Sequence, residues 1–281
     1  MRPLKPEQFA GMNLLYSRTQ LTDFLDSVYQ MGIKNIELWT QTQFFCELYK
    51  STSDTKRLKC ELDARDLELV CFIPEQCTWP FNIASHDKKI RQESCDYYLR
   101  HIETAKELGA PKVLVTPGWY EWDLNREDGL LYSEESLFRL LPYFQQAGIT
   151  PVLELLQPCE SNLMYDLKTT GWYAEHFSEK EMNFCIDTVP LTLAGEKLED
   201  YFRVLGKRIR HIHLIDGTPA GHLVLGDGEQ DIREHIETME RWEYRENITL
   251  EFGASIYYRD PDFHMKRGWN YLKKLLAEVR T

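Results

Sequence analysis

No glycine-rich phosphate turn occurs in this chain of 281 residues: neither GxGxxG nor GK followed by Ser or Thr is present. The usual sequence argument for a dinucleotide or nucleoside triphosphate is therefore missing. There is no basic excess either. Lys and Arg number 33 against 45 Asp and Glu, a formal net charge of -12, whereas a nucleic-acid binder normally shows a basic face. No apolar run approaches the roughly 18 residues of a membrane span. The segment Met1-Arg-Pro-Leu-Lys-Pro6 lacks the apolar stretch of a signal peptide. The cysteines at 46, 60, 71, 77, 95, 159 and 185 are odd in number and form no CxxC pair. They read as reduced, mostly buried thiols of a cytoplasmic protein. Neither a nucleic-acid nor a membrane partner is expected, and a homo-oligomer is compatible with all of these features.

What is present is a steady alternation of short apolar runs with helical periodicity. Strands are expected at Phe9 to Tyr16, Asn35 to Trp39, Leu67 to Ile73 and Lys112 to Thr116. Four more follow at Pro151 to Leu156, Met182 to Asp187, Ile209 to Leu214 and Ile248 to Phe252. Between them, helices are expected at about 51 to 65, 86 to 108, 166 to 177, 195 to 205, 231 to 241 and 262 to 279. Leu21, Phe24, Leu25 and Val28 mark the first helix, stopped at Gly32. Ser133-Glu-Glu reads as the start of another, with Ser133 as N-cap, ending at Gly148. No Gly/Ser-rich linker or low-complexity tract interrupts the series. Eight strand–helix units in 281 residues predict an α/β protein, a (β/α)₈ TIM barrel forming a single domain over 1–281. An open doubly wound sheet is the alternative, but its usual nucleotide role needs the glycine turn that is absent.

Four strand ends carry residues that bind metals. They are Glu154 in Pro151-Val-Leu-Glu-Leu-Leu156, Asp187 in Met182-Asn-Phe-Cys-Ile-Asp187, His213 in Ile209-Arg-His-Ile-His-Leu214 and Glu251 in Ile248-Thr-Leu-Glu-Phe252. In a barrel of this kind, strand carboxyl ends converge on the active site. Three carboxylates and one imidazole make a hard donor set for one divalent ion: Mn, Co, Mg, Ni or Zn, with Mn favoured. Taken singly, each acid could instead cap a helix or lie in a solvated loop. Glu154 and Glu251, however, sit in apolar runs, where an unpaired carboxylate is costly. His211 shares a strand face with His213; it is expected one layer deeper and hydrogen-bonded.

These residues resemble the xylose-isomerase-like sugar isomerase/epimerase superfamily, in which a Glu, an Asp, a His and a Glu from strands five to eight hold one catalytic cation. Leu153-Glu-Leu-Leu-Gln-Pro-Cys-Glu-Ser-Asn162, Arg210-His-Ile-His-Leu-Ile-Asp216 and Gly226-Asp-Gly228 carry the likeness, which spans essentially the whole chain. Pro74-Glu75, Trp79-Pro-Phe-Asn82 and His222, four residues before Gly226, look most like its fructoselysine-epimerising branch. The ketose 3-epimerases place a His three residues after the strand-six Asp. Here that residue is Pro190, a departure that weighs against simple ketose specificity.

The resemblance implies proton abstraction next to a ketone through a cis-enediolate intermediate, on an unphosphorylated ketose or a fructosamine such as fructoselysine. Glu154 and Glu251 would be the catalytic acid–base pair as well as metal ligands. Two carboxylates on opposite faces of one carbon can trade the roles of base and acid. Glu160, Glu75, Asn82, Trp79 and His222 are the expected substrate contacts. The Lys207, Arg208 and Arg210 cluster precedes strand seven and reads as solvated surface away from the chemistry. Two other readings stand beside this one: a metal-dependent phosphodiesterase or apurinic-endonuclease-like hydrolase, and a non-catalytic sugar-binding barrel. Eight histidines in all and an acidic charge speak against a three-zinc cluster.

Overall fold

A computed structural model describes residues 2–41, 45–77 and 80–279. Its parallel strands close into a barrel in chain order. They are β1 (Phe9–Met12), β2 (Asn35–Thr40), β3 (Glu68–Pro74), β4 (Lys112–Val115), β5 (Thr150–Glu154), β6 (Asn183–Asp187), β7 (Ile209–Leu214) and β8 (Asn247–Leu250). The helices outside it are α1 (Leu21–Gln30), α2 (Thr52–Ala64), α3 (Lys88–Leu108), α4 (Arg126–Ala147), α5 (Leu167–His176), α6 (Thr188–Leu193), α7 (Leu198–Leu205), α8 (Ile232–Arg241) and α9 (Pro261–Glu278). The (β/α)₈ expectation holds.

The strands are short and almost wholly buried, as a sheet covered on its outer face by helices requires. The main core lies between strands and helices. A smaller apolar cluster of Met12, Cys71, Ile73, Leu114, Val152 and Cys185 fills the barrel itself, so the interior is packed rather than a pore. Above that plug lie the strand ends and the loops that follow them.

Several element boundaries differ from those expected. β1 stops at Met12 and the chain turns through a 3₁₀ segment at Asn13–Tyr16. The Asn13 amide explains this: it donates to the Trp39 carbonyl at 2.9 Å and accepts from the Trp39 N–H at 2.8 Å. A side chain thus makes the contacts a longer strand would have made with its backbone. α4 begins at Arg126, capped by Asn125, whose side chain accepts from the Glu127 N–H. Ser133 is therefore no N-cap; it is buried inside the helix, where its hydroxyl pairs with the Tyr173 hydroxyl at 2.9 Å. The short α6 was not anticipated at all. Asp187 caps it by accepting from the Val189 N–H at 2.8 Å, and Pro190 falls in its first turn, where a missing N–H is harmless.

Arg208 is not solvated. Its guanidinium donates to the carbonyls of Ala174, Phe177 and Met182 at 2.7, 2.8 and 3.2 Å, tying the end of α5 to the start of β6. Arg208→Ala should destabilise the fold by about 2–3 kcal/mol, because three part-buried carbonyls lose a charged donor. Urea unfolding checks this. An unchanged midpoint would show that water replaces the guanidinium without loss.

Candidate active site and metal centre

Each of the four strand-end residues is placed by the same device. Its strand delivers it to the carboxyl rim, and pairing with the next strand sets its height: Asp187 pairs with His213, and Glu154 with Cys185. Glu251 lies one residue beyond β8. Glu154, Asp187, His213 and Glu251 are all buried, and each offers an atom within 4.8 Å of the others.

His213 is the centre of the group. Its Nδ1 lies 2.7 Å from Glu154 Oε1 and 2.8 Å from Glu251 Oε2. Both His213 Nδ1 and Glu251 Oε2 are buried without an aligned hydrogen-bond partner. Two oxygens and a nitrogen held this close, with the nitrogen and one of the oxygens unsatisfied, form the pattern that a shared cation satisfies. The donor set of three carboxylates and one imidazole suits a divalent ion of the Mg, Mn, Co, Ni or Zn type. The residues fit such an ion.

As these side chains stand, protons balance their charge. Burial pushes Glu154 up to about 7, His213 acting against the rise and Glu251 and Glu160 adding to it. Burial likewise drives Asp187 well above the usual carboxylate range, reinforced by Glu251. Burial would raise Glu251 too, but the His213 and His222 rings outweigh it and hold it low. Burial alone would lower His213; Cys185 and the surrounding acids hold it well above its ordinary value instead. A cation must displace these protons. Its affinity should therefore fall as pH falls. The Glu154 proton alone, with a midpoint of about 7, should weaken binding about tenfold between pH 8 and pH 6. Calorimetric titration with Mn²⁺ at both values measures it; a pH-independent affinity would show that no such proton is displaced.

Glu154, Asp187 and Glu251 line a cavity of about 270 Å³, with the fully buried His213 held against two of their carboxylates; Trp39, Glu75, Cys77, Glu160 and His222 line it too. Met12, Leu14, Ile73, Leu114 and Leu156 give it apolar walls. The Glu75 carboxylate accepts from the Trp39 indole N–H at 2.9 Å and from the Cys77 N–H at 3.1 Å. Glu160 accepts from the Gln157 N–H, and burial raises its pKa despite the opposing pull of His222. His222 rides on the loop after β7. That loop wraps the Asp216 carboxylate, which accepts from the N–H groups of Gly217, Gly226, Gly228 and Gln230. Gly228 has to be glycine, because a Cβ there would stand 2.1 Å from Asp216 Oδ1.

Asn82 behaves otherwise. Its side chain bridges the Trp119 carbonyl and N–H and the Ala84 N–H, and it is not among the cavity's lining residues. Its amide holds two loops together. Trp79 lies outside the described residues. Sequence reasoning missed Glu37. This β2 carboxylate is fully buried, with Oε2 2.9 Å from His211 Nε2 and 3.1 Å from His213 Nε2. The available signal was a lone charge between Ile36 and Leu38 in an apolar strand. His211 lies deeper than His213 and hydrogen-bonded, as expected.

A family model described as xylose isomerase-like TIM barrel matches residues 25–275. The chain is 24% identical over 253 residues to the fructoselysine 3-epimerase of Shigella flexneri, covering 89% of this chain and 91% of that one. Among solved structures, D-psicose 3-epimerase with D-tagatose from Clostridium cellulolyticum H10 superposes with a TM-score of 0.80 at 13% identity, over 96% and 99% of the two chains. D-allulose 3-epimerase from Methylomonas sp., in complex with D-allulose, gives 0.80 at 17% identity, over 98% and 99%. At such identities the two solved structures speak for the fold.

Proposed function

The chain belongs to the xylose isomerase-like TIM barrel family, and on that premise we propose that it is a divalent-metal-dependent sugar epimerase of the isomerase class, moving a proton at a carbon next to a ketone. One observation carries the reading: Glu154 and Glu251 approach one point from β5 and the end of β8, across a single cavity, together with Asp187 and His213. A cation held by these four side chains would supply Lewis-acid stabilisation of the charge that develops on oxygen as the neighbouring C–H is deprotonated.

The remaining steps belong to the chain's own groups. One carboxylate, Glu154 or Glu251, takes the proton from one face of the carbon. The other returns a proton to the opposite face. Their ordinary basicity is too weak for a carbon acid in water. The apolar walls exclude water and strengthen every charge interaction inside. Glu160, Glu75 and His222 are placed to hold substrate hydroxyls, and the resulting orientation is itself a large part of the rate.

The substrate is an unphosphorylated ketose or a fructosamine. Among the described residues no Lys or Arg lines the cavity, so a phosphate would meet acids and no fixed cation there. A second cavity of about 130 Å³ shares Cys77 and Glu160 with the first and is walled by Trp119 and Trp122. It offers room and negative charge for a cationic substituent beyond a hexose, which favours a fructosamine. The fructoselysine 3-epimerase relatives point the same way. A three-metal hydrolase is disfavoured: among the described residues His222 is the histidine of the cavity wall and His213 the histidine of the four-residue cluster, and Pro190 stands where the resemblance puts a His.

The test is a panel of ketopentoses, ketohexoses and fructoselysine with Mn²⁺ or Co²⁺, read by chromatography of the epimers. Epimerisation of at least one unphosphorylated member, with its phosphate ester turned over poorly, is expected. Hydrolysis of phosphodiesters with no epimer formed would overturn the reading.

A further inference from the structure

Glu37 carries a buried charge for which the proton-transfer chemistry has no use. It is fully buried, and among the described residues its ion pairs are with His211 and His213 rather than with any Lys or Arg. A carboxylate so placed is costly unless something depends on it. One oxygen, Oε2, accepts from two imidazoles: His211 Nε2 at 2.9 Å and His213 Nε2 at 3.1 Å. His211 Nε2 also lies 3.0 Å from Thr249 Oγ1, which braces the ring from β8. The β2–β3 register shifts between Ile36 and Glu37, an irregularity of the kind that re-aims a side chain beside an active site.

The consequence is fixed by the imidazole's two nitrogens. A proton on His213 Nε2 shared with Glu37 leaves Nδ1 as the lone-pair nitrogen. Nδ1 is the atom lying 2.7 and 2.8 Å from the Glu154 and Glu251 oxygens. With the opposite tautomer, a proton would stand where a cation has to bind.

We propose that Glu37 is the positioning residue of the metal centre. It sets the tautomer, orientation and donor strength of His213, while His211, itself braced by Thr249, holds Glu37 from the layer beneath. The inference rests on the four-ligand cation site described above. It goes beyond that site by assigning part of the affinity to a side chain that never touches the ion. Partners of this kind typically change metal affinity 10–100-fold.

Glu37→Gln is the direct test because it keeps the shape and removes the charge. Turned one way, the amide offers His213 a neutral, weaker acceptor. Turned the other way, it presents N–H groups that force the His213 proton onto Nδ1. The Kd for Mn²⁺ alone, measured by calorimetry on the full chain, should rise about 10–100-fold with one ion per chain retained. The cation-free melting temperature checks that the fold is intact.

If the variant does not fold, the wild-type tautomer carries the test. Long-range ¹H–¹⁵N spectra of ¹⁵N-histidine protein loaded with diamagnetic Mg²⁺ or Zn²⁺ should show His213 protonated at Nε2, its signal identified by loss in His213→Asn. An unchanged Mn²⁺ Kd in Glu37→Gln, or a His213 proton on Nδ1 in the loaded protein, overturns the inference and leaves the site standing. A wild-type protein that binds no divalent ion overturns the site itself.

Discussion

Glu251→Gln should lower turnover by at least about 10²-fold in a protein that still folds and still binds a cation. The amide keeps the size of the side chain and one oxygen, and Asp187, His213 and Glu154 remain. What disappears is a base. Glu154→Gln should do the same from the other side of the cavity. The two variants are informative together because each leaves one carboxylate able to act. Each should exchange the substrate's proton with solvent on one face without inverting the carbon. Exchange without epimerisation separates loss of one of two bases from general damage to the site. If both variants epimerise at near wild-type rates, the glutamates are ligands only. The acid–base pair would then have to be sought among Glu160 and His222, which face the same cavity.

Removing the cation should have the other large effect. Chelation is expected to take turnover to background, with recovery on adding Mn²⁺ or Co²⁺. At 100 times its Kd, a bound ion stabilises the fold by about 2.7 kcal/mol. That corresponds to a melting temperature higher by about 5–10 °C. Asp187→Asn isolates the ligand role. Asp187 also caps α6 through the Val189 N–H, and asparagine caps as well as aspartate does. The fold should survive while cation affinity drops by more than about 10²-fold, beyond the effect typical of groups one step removed from the ion. Full activity in a thoroughly chelated protein would end the metal reading.

The barrel and its four strand-end residues were legible for one reason. Each strand is a local apolar run, and each ligand type sits at the end of its own run, so closing the barrel in chain order brings the four together with no further information. Glu37 was not legible in that way. Its partners His211 and His213 are 174 and 176 residues away, and only the closed β1–β8 seam and the register of β7 bring them to it. The start of α4 was misread because Ser133-Glu-Glu repeats locally the same cap-and-acid signal that Asn125, Glu127 and Asp128 give one helical stretch earlier. Burial against Tyr173 decided between them, and burial is a tertiary fact. Asn82 drew attention as a polar residue near aromatic ones. The loop carbonyl and N–H groups it satisfies, 37 residues on at Trp119, could not be seen from its neighbours.

The most direct measurement is the isotope at the inverted carbon. The wild-type protein, loaded with Mn²⁺ or Co²⁺, is given an epimerisable ketose or fructosamine in D₂O, and the product is analysed by NMR after less than one equivalent of turnover. With Glu154 and Glu251 as two bases on opposite faces, the proton removed and the proton returned are different. Each epimer molecule should therefore carry one deuterium at the carbon next to the ketone from the first turnover onward. Epimer that retains its original hydrogen at that carbon would contradict the two-carboxylate mechanism.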